Sequence, residues 1–291
     1  MSTDNRISVI GLGSMGTAMV TRLLEQGFEV DAWNRTPKNV QEMFDDKVKQ
    51  VSLEHALQNQ FAISFLSNDA AALETFNEAT LTRGARGSIH LNMSTLSPDA
   101  SRELAARHAS NGLGYLASPI LGRPIAILSG KALSVIAGDS QLVEEAAPIL
   151  EKISAKYWHL GQDHAMASLV KLGVNYNLIH ALQAIAESVA LVEAGSVDAN
   201  TFIEIITHTA FTGSAYAGYG PMIANRKYSP AGFSMELGVK DVKLVQAAAS
   251  DLGLKLPVAS VLIELFQTAN QNPQLHDLDW SAVAELTRKA Q

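Results

Sequence analysis

The stretch "RISVIGLGSMGTAMVTRLLEQGFEVDAWNRT" (residues 6–36) decides the fold. It opens on a short β-branched run, "RISVI" (6–10), and ends on a second, "FEVDAW" (28–33), before a polar turn. Between them, Ser14 to Gln26 reads as a helix. Strand, helix and strand in this order form a βαβ unit with parallel strands. At the first turn, Gly11, Gly13 and Gly16 stand in G-x-G-x-x-G spacing. A lone match means little, but this one follows a strand and opens a helix, where it is a dinucleotide-binding fingerprint. Gly11 permits the tight turn, Gly13 lets the backbone approach a pyrophosphate, and Gly16 lets the helix pack on the strand. Leu12, Ser14 and Met15 complete the loop, whose helix start offers N–H groups and a positive dipole end to phosphates.

Further along, "FAISFL" (61–66) and "SIHLN" (88–92) continue the strand pattern, with a helix from Ser97 to Ser110. "SPDAS" supplies that helix with a serine cap and a proline in its first turn. Two more strands are expected near "GYLASPI" and "ALSVIAG", and a last one near "KYWHL". Past about Gly161 the strands stop, and helical stretches follow at 164–194, 198–209, 235–252 and 257–270. The expected architecture is α/β: an N-terminal Rossmann-type doubly wound sheet over 1–162, then an all-helical domain over 163–291. The helix 164–194 is apolar on nearly every face, which marks a helix buried inside a domain or between subunits.

Composition narrows the function. The 291 residues, 47% hydrophobic and 18% charged, suit a globular protein with a sizeable core. A formal net charge of −7 disfavours nucleic acid or acidic lipid as the main partner. There are no cysteines, so disulfides and thiolate chemistry are excluded, in keeping with a cytoplasmic setting. No apolar run reaches membrane-spanning length, and the N-terminus does not read as a signal peptide. The eight histidines form no H-x-x-x-H or H-E-x-x-H cluster, so no metal is expected.

The turn after the second strand selects the cofactor. An acidic side chain there usually binds ribose hydroxyls, whereas a guanidinium fits a 2′-phosphate. Asn34, Arg35 and Thr36 occupy the turn, which favours NADPH. Asp31 is the competing acid, but it falls inside the strand.

Within "ASLVKLGVNYNLIHALQAIA" (167–186), Lys171 is the one formally charged residue. Four positions later stands Asn175, on the same helix face. That face continues through Leu178, Leu182 and Ile185, so the lysine lies on an apolar stripe. A lysine near a helix start can snorkel to water. Beside a carbonyl receiving a hydride, it would instead stabilise the growing oxyanion and supply its proton.

With these segments in view, the chain resembles the β-hydroxyacid dehydrogenase family over nearly its whole length. "IGLGSMGTAMVTRLLEQGFEVDAWNRT" looks like the family's cofactor motif and "NMSTLSP" (92–98) like its substrate segment. "SLVKLGVNYN" looks like its catalytic helix, and "FSMELGVKDVKLVQAAASDLGLKLPV" (233–258) like its second-domain cofactor segment. The resemblance implies that Lys171 and Asn175 are the catalytic pair, and that Ser94 and Thr95 bind a substrate carboxylate. Lys240 would approach the cofactor, and Phe233 would line the cleft. Leu66, Ser67 and Thr95 join the expected cofactor set. "SPILGRP" (118–124) departs from the family's glycine pair: Gly122 matches the first, and Arg123 replaces the second. Arg123 would add a carboxylate clamp or point away to the surface.

The expected activity is NADPH-dependent hydride transfer between the nicotinamide and a small carbonyl or hydroxy acid. Imine reductases share the opening motif but often carry aspartate or tyrosine at the Lys171 position, so they are the rival reading. A non-catalytic NADPH sensor is a third reading, disfavoured because the lysine is present. 6-Phosphogluconate dehydrogenases share the plan but have a much longer helical domain, which argues against a phosphorylated sugar acid. The apolar helix and helical second domain lead us to expect a homodimer or homotetramer.

Overall fold

The computed structural model describes residues 5–288; residues 1–4 and 289–291, at the outer ends of the two expected domains, lie outside them. Six strands form a parallel sheet in the order β3-β2-β1-β4-β5-β6: β1 (Arg6–Ile10), β2 (Glu29–Trp33), β3 (Val48–Gln50), β4 (Phe61–Ser64), β5 (Ile89–Asn92) and β6 (Gly114–Ala117). The order reverses between β1 and β4, creating a crevice at the carboxyl ends of the strands. The glycine loop after β1 and the Phe65–Ser67 turn after β4 flank that crevice.

The chain departs from the expected strand pattern in two places. β3 is a three-residue edge strand whose sequence, "VKQ", carries too little alternation to be read as a strand. The run "GYLASPI" is not continuous: β6 ends at Ala117, and β7 (Ile120–Leu121) begins a separate sheet. Pro119 lies at the break and has no N–H to continue a ladder. β7 pairs antiparallel with β8 (Leu133–Ile136), which pairs parallel with β9 (Lys156–His159).

The chain divides into two compact units between Lys171 and Leu172, inside the 30-residue helix Ala165–Ala194. The helix's first turns belong to the first unit: Ala167 packs in a cluster with Ala100, Leu104 and Ala137. Its later turns, from Ile179 to Val189, enter the second unit's core. Burial follows one stripe, and the opposite face exposes Met166, Val170, Val174 and Leu191.

Among the described residues, no strand lies beyond His159. The second unit adds helices Ala199–Thr207, Ser214–Ala224, Met235–Asp251 and Ala259–Gln271, then a 3-10 segment, Trp280–Leu286. Ser214–Ala224 was not expected from sequence, because Gly218, Gly220 and Pro221 all lower helix propensity. Tertiary packing compensates: Tyr219 and Ile223 are buried, and Tyr219, Phe233 and Phe266 surround the buried Trp280. Among the described residues, no helix is long and apolar enough to cross a membrane.

A buried histidine pair lies between β5 and the helix Pro98–Ser110. His90 Nδ1 is 2.9 Å from His108 Nε2, and His90 Nε2 is 2.8 Å from Ser64 Oγ. Burial lowers both pKa values, that of His108 to about 4. Between pH 6.5 and about 4 the unfolded chain therefore binds protons that the folded chain refuses, and stability falls as pH drops through this window. For His108 the loss amounts to about 3 kcal/mol. Urea midpoints from pH 7.5 to 4.5 are expected to fall more steeply for the native chain than for His108→Asn. Parallel pH profiles would show that the pair does not control acid stability.

Candidate active site

The three glycines are required for different reasons. Gly11 has φ +95°, and a Cβ there would sit 2.2 Å from the Phe65 carbonyl oxygen. A Cβ on Gly16 would lie 1.8 Å from the Gly11 oxygen, so this glycine closes the helix onto the loop. At Gly13 a Cβ would meet nothing within 4 Å, leaving the backbone open to an approaching ligand. Gly13 is also the N-cap and provides no side-chain cap. The first N–H groups of Ser14–Glu25 therefore face outward, with Ser14 exposed and Met15 half-buried. This cradle fits a dinucleotide diphosphate.

The turn after β2 is tied to the loop. Asn34 Oδ1 accepts a hydrogen bond from Leu12 N at 2.8 Å, while Asn34 Nδ2 donates to the Thr36 carbonyl at 2.6 Å. Arg35 is 73% exposed and 3.8 Å from Glu74 Oε2, a pairing that water weakens. Asp31 is fully buried, with Arg6 at 2.8 Å, Asn59 at 3.0 Å and His55 at 3.3 Å. Its carboxylate holds the first two strands together. Lys38 was missed from sequence: its Nζ donates to the Leu12 carbonyl at 2.6 Å, placing a cation at the glycine loop. A lysine four residues beyond Asn34 gives no periodic signal, since only the fold of the turn brings it back.

The segments after β4 and β5 are joined. Ser94 Oγ accepts from Leu66 N at 2.8 Å, and Ser94 N donates to Asn92 Oδ1 at 3.0 Å. Ser97 caps the following helix, accepting from Ala100 N at 3.1 Å, so neither Ser94 nor Thr95 is the N-cap. Ser94 is buried, Thr95 half-buried and Ser67 exposed. Gly122, at φ +156°, precedes a half-buried Arg123, which is the N-cap residue of the short helix Pro124–Leu128.

Lys171 and Asn175 are both buried, at 8% and 3% exposure, so the snorkelling reading of the lysine does not describe its position. In the second unit Asn175 Nδ2 donates to Asp241 Oδ2, and Asp241 is completely buried. Lys240 Nζ stands 3.2 Å from Asp241 Oδ1, close enough for an ion pair but without hydrogen-bond alignment. Without the family resemblance, Lys240 and Asp241 would read as a solvated helix start. The stripe Gly238, Asp241, Val242, Val245 was the available signal that Asp241 points inward. Phe233 packs on Trp280, with ring centroids 4.5 Å apart. Among the described residues, no group of three or more potential ligand side chains is arranged to hold a metal.

A glycine cradle at the switch point of a parallel sheet, followed by a helical unit, defines a dinucleotide-binding protein. A family model described as the NAD binding domain of 6-phosphogluconate dehydrogenase matches residues 6–161. A second, described as "NAD-binding of NADP-dependent 3-hydroxyisobutyrate dehydrogenase", matches residues 165–287. The uncharacterized oxidoreductase YfjR of Bacillus subtilis is 33% identical over 96% of this chain and 98% of its own length. Glyoxylate/succinic semialdehyde reductase 1 of Arabidopsis thaliana is 29% identical over 97% and 98%, respectively. The solved 3-hydroxyisobutyrate dehydrogenase of Mycobacterium tuberculosis, with L-serine, is 25% identical and superposes with a TM-score of 0.85, covering 98% of this chain and 99% of that one. The chain belongs to the β-hydroxyacid dehydrogenase family.

Proposed function

We propose that the protein is an NADPH-dependent reductase of small aldehyde or keto acids, acting in reverse as a 3-hydroxyacid dehydrogenase. The observation that carries this reading is the buried Lys171, with Asn175 one turn further along its helix. A bound nicotinamide supplies the hydride. The Lys171 ammonium stabilises the negative charge developing on the carbonyl oxygen and delivers the proton that completes the alcohol. Asp241 fixes the Asn175 amide by taking its N–H, leaving Asn175 Oδ1 as the acceptor for an ammonium or hydroxyl. Ser94 and Thr95 hold the substrate carboxylate, and Gly122 and Arg123 border it.

Residues 1–162 form the nucleotide domain, where Gly11 to Gly16, Asn34 to Thr36, Leu66, Ser67 and Thr95 serve the cofactor, joined by Lys240. Residues 163–291 form the substrate and oligomerisation domain. Exposed Met166, Val170, Val174 and Leu191 support a homodimer or homotetramer, and the absence of cysteines is in keeping with a cytoplasmic setting. A stable monomer in analytical ultracentrifugation would overturn that assembly.

The test is a panel of glyoxylate, succinic semialdehyde, 3-hydroxyisobutyrate and a cyclic imine, assayed with NADPH and NADH in the appropriate directions. Turnover of the carbonyl acids with NADPH is expected. Efficient turnover confined to the imine would assign the site to C=N reduction instead. Arg35 and Lys38 supply the 2′-phosphate preference. The double variant Arg35→Asp, Lys38→Ala is expected to raise the KM for NADPH roughly 100-fold, with little change for NADH. Equal use of both cofactors by the native chain would overturn the NADPH assignment.

A further inference from the structure

We infer that Asn92 and Tyr115 are positioning residues, whose buried hydrogen bonds hold the Ser94–Thr95 turn in register with the foot of the Lys171 helix. The inference rests on the proposed roles of that turn and that lysine. The chain of contacts begins at Ser94, where the backbone N–H donates to Asn92 Oδ1 at 3.0 Å. A backbone N–H can only donate, so this contact fixes the orientation of the Asn92 amide. Asn92 Nδ2 accordingly donates to the Tyr115 hydroxyl at 2.9 Å. The Ser101 side chain neighbours the Tyr115 hydroxyl, and Ser101 Oγ is 2.7 Å from Ser168 Oγ. Ser168 precedes Lys171 by three residues, less than one helical turn. Asn92, Tyr115, Ser101 and Ser168 are each no more than 3% exposed, so water does not readily substitute for a lost partner.

The chain also determines what Ser94 can offer. Its oxygen already accepts the Leu66 N–H at 2.8 Å, leaving the hydroxyl proton to donate to an anion. Asn92 therefore acts on the substrate through Ser94, while Leu66 carries the same alignment to the turn after β4. A shift of the turn by a fraction of an ångström would misplace the carboxylate without removing any group that touches it.

The test is Tyr115→Phe, which keeps the ring packed against His90 and His108 and removes only the hydroxyl. Hydrogen exchange at the Ser94 and Leu66 amides is expected to accelerate about tenfold or more, while Ile63 and Leu91 in the strands keep their protection. The KM for the carbonyl acid is expected to rise about tenfold, with a smaller change in kcat. In a double-mutant cycle, adding Tyr115→Phe to Ser94→Ala is expected to change kcat/KM by less than about twofold, because Tyr115 acts through Ser94. Unchanged amide protection in Tyr115→Phe overturns the inference itself. Lost protection with unchanged KM instead overturns the reading of Ser94 and Thr95 as the substrate anchor. Additive effects in the cycle show that Tyr115 does not work through Ser94.

Discussion

Lys171→Met is expected to lower kcat by about 10³-fold or more, the range of a lost general acid that also stabilises an oxyanion. Methionine has similar helix propensity and length, so the helix Ala165–Ala194 should keep its shape. The lysine is 8% exposed, so a thermal melt of the variant accompanies the kinetics and shows that it is folded where kcat is read. Nucleotide affinity should stay within about twofold, because the phosphate cradle is formed by Gly11 to Gly16, remote in sequence from this helix. Loss of kcat with retained binding is the signature of an interaction made in the transition state. Isothermal titration with NADPH and single-turnover kinetics separate the two quantities. A variant with near-native kcat would remove Lys171 from the reaction. Parallel loss of nucleotide binding would give the lysine a structural role instead.

How much of this could be read from sequence depended on whether the signal was local. The glycine loop is local: turn, close approach and helix packing are encoded within six residues, and each glycine sits where its spacing implies. The Lys171–Asn175 relation is also local, fixed by helical geometry. Asp31 was partly legible, since its place inside a strand implied that it was not free to meet a ribose. Lys38 and Asp241 were not read, for different reasons. Lys38 reaches the loop only because the turn after β2 folds back. Asp241 was hidden by its neighbour: with Lys240 beside it the pair reads as solvated, whereas Asp241 is completely buried and Lys240 largely so. The link between Asn92 and Tyr115 spans 23 residues and two strands, a separation that no periodic pattern encodes. Pro119 was visible, yet its consequence, the break between β6 and β7, required the course of the backbone.

The glycine loop also yields a contrast between two changes of one methyl group each. Gly16→Ala would place a Cβ 1.8 Å from the Gly11 carbonyl oxygen, so the loop or the helix must move. Overpacking against backbone costs roughly 1–3 kcal/mol. In a chain of this size that is a fall in Tm of several degrees, about 2–4 °C per kcal/mol. The displaced helix start would also lose its aim at the diphosphate, and NADPH affinity should fall by about 100-fold or more. Gly13→Ala adds the same methyl where the protein itself offers no atom within 4 Å. Its φ of −70° suits alanine, so the Tm should stay within about a degree of native. The methyl would nevertheless occupy the open side of the loop, where close backbone approach to a diphosphate is needed. Affinity for NADPH should therefore fall about tenfold or more while stability holds. Thermal melts with and without NADPH measure both quantities in one experiment. Native-like NADPH stabilisation of Gly13→Ala would place the diphosphate elsewhere, because a ligand on this loop cannot avoid that methyl.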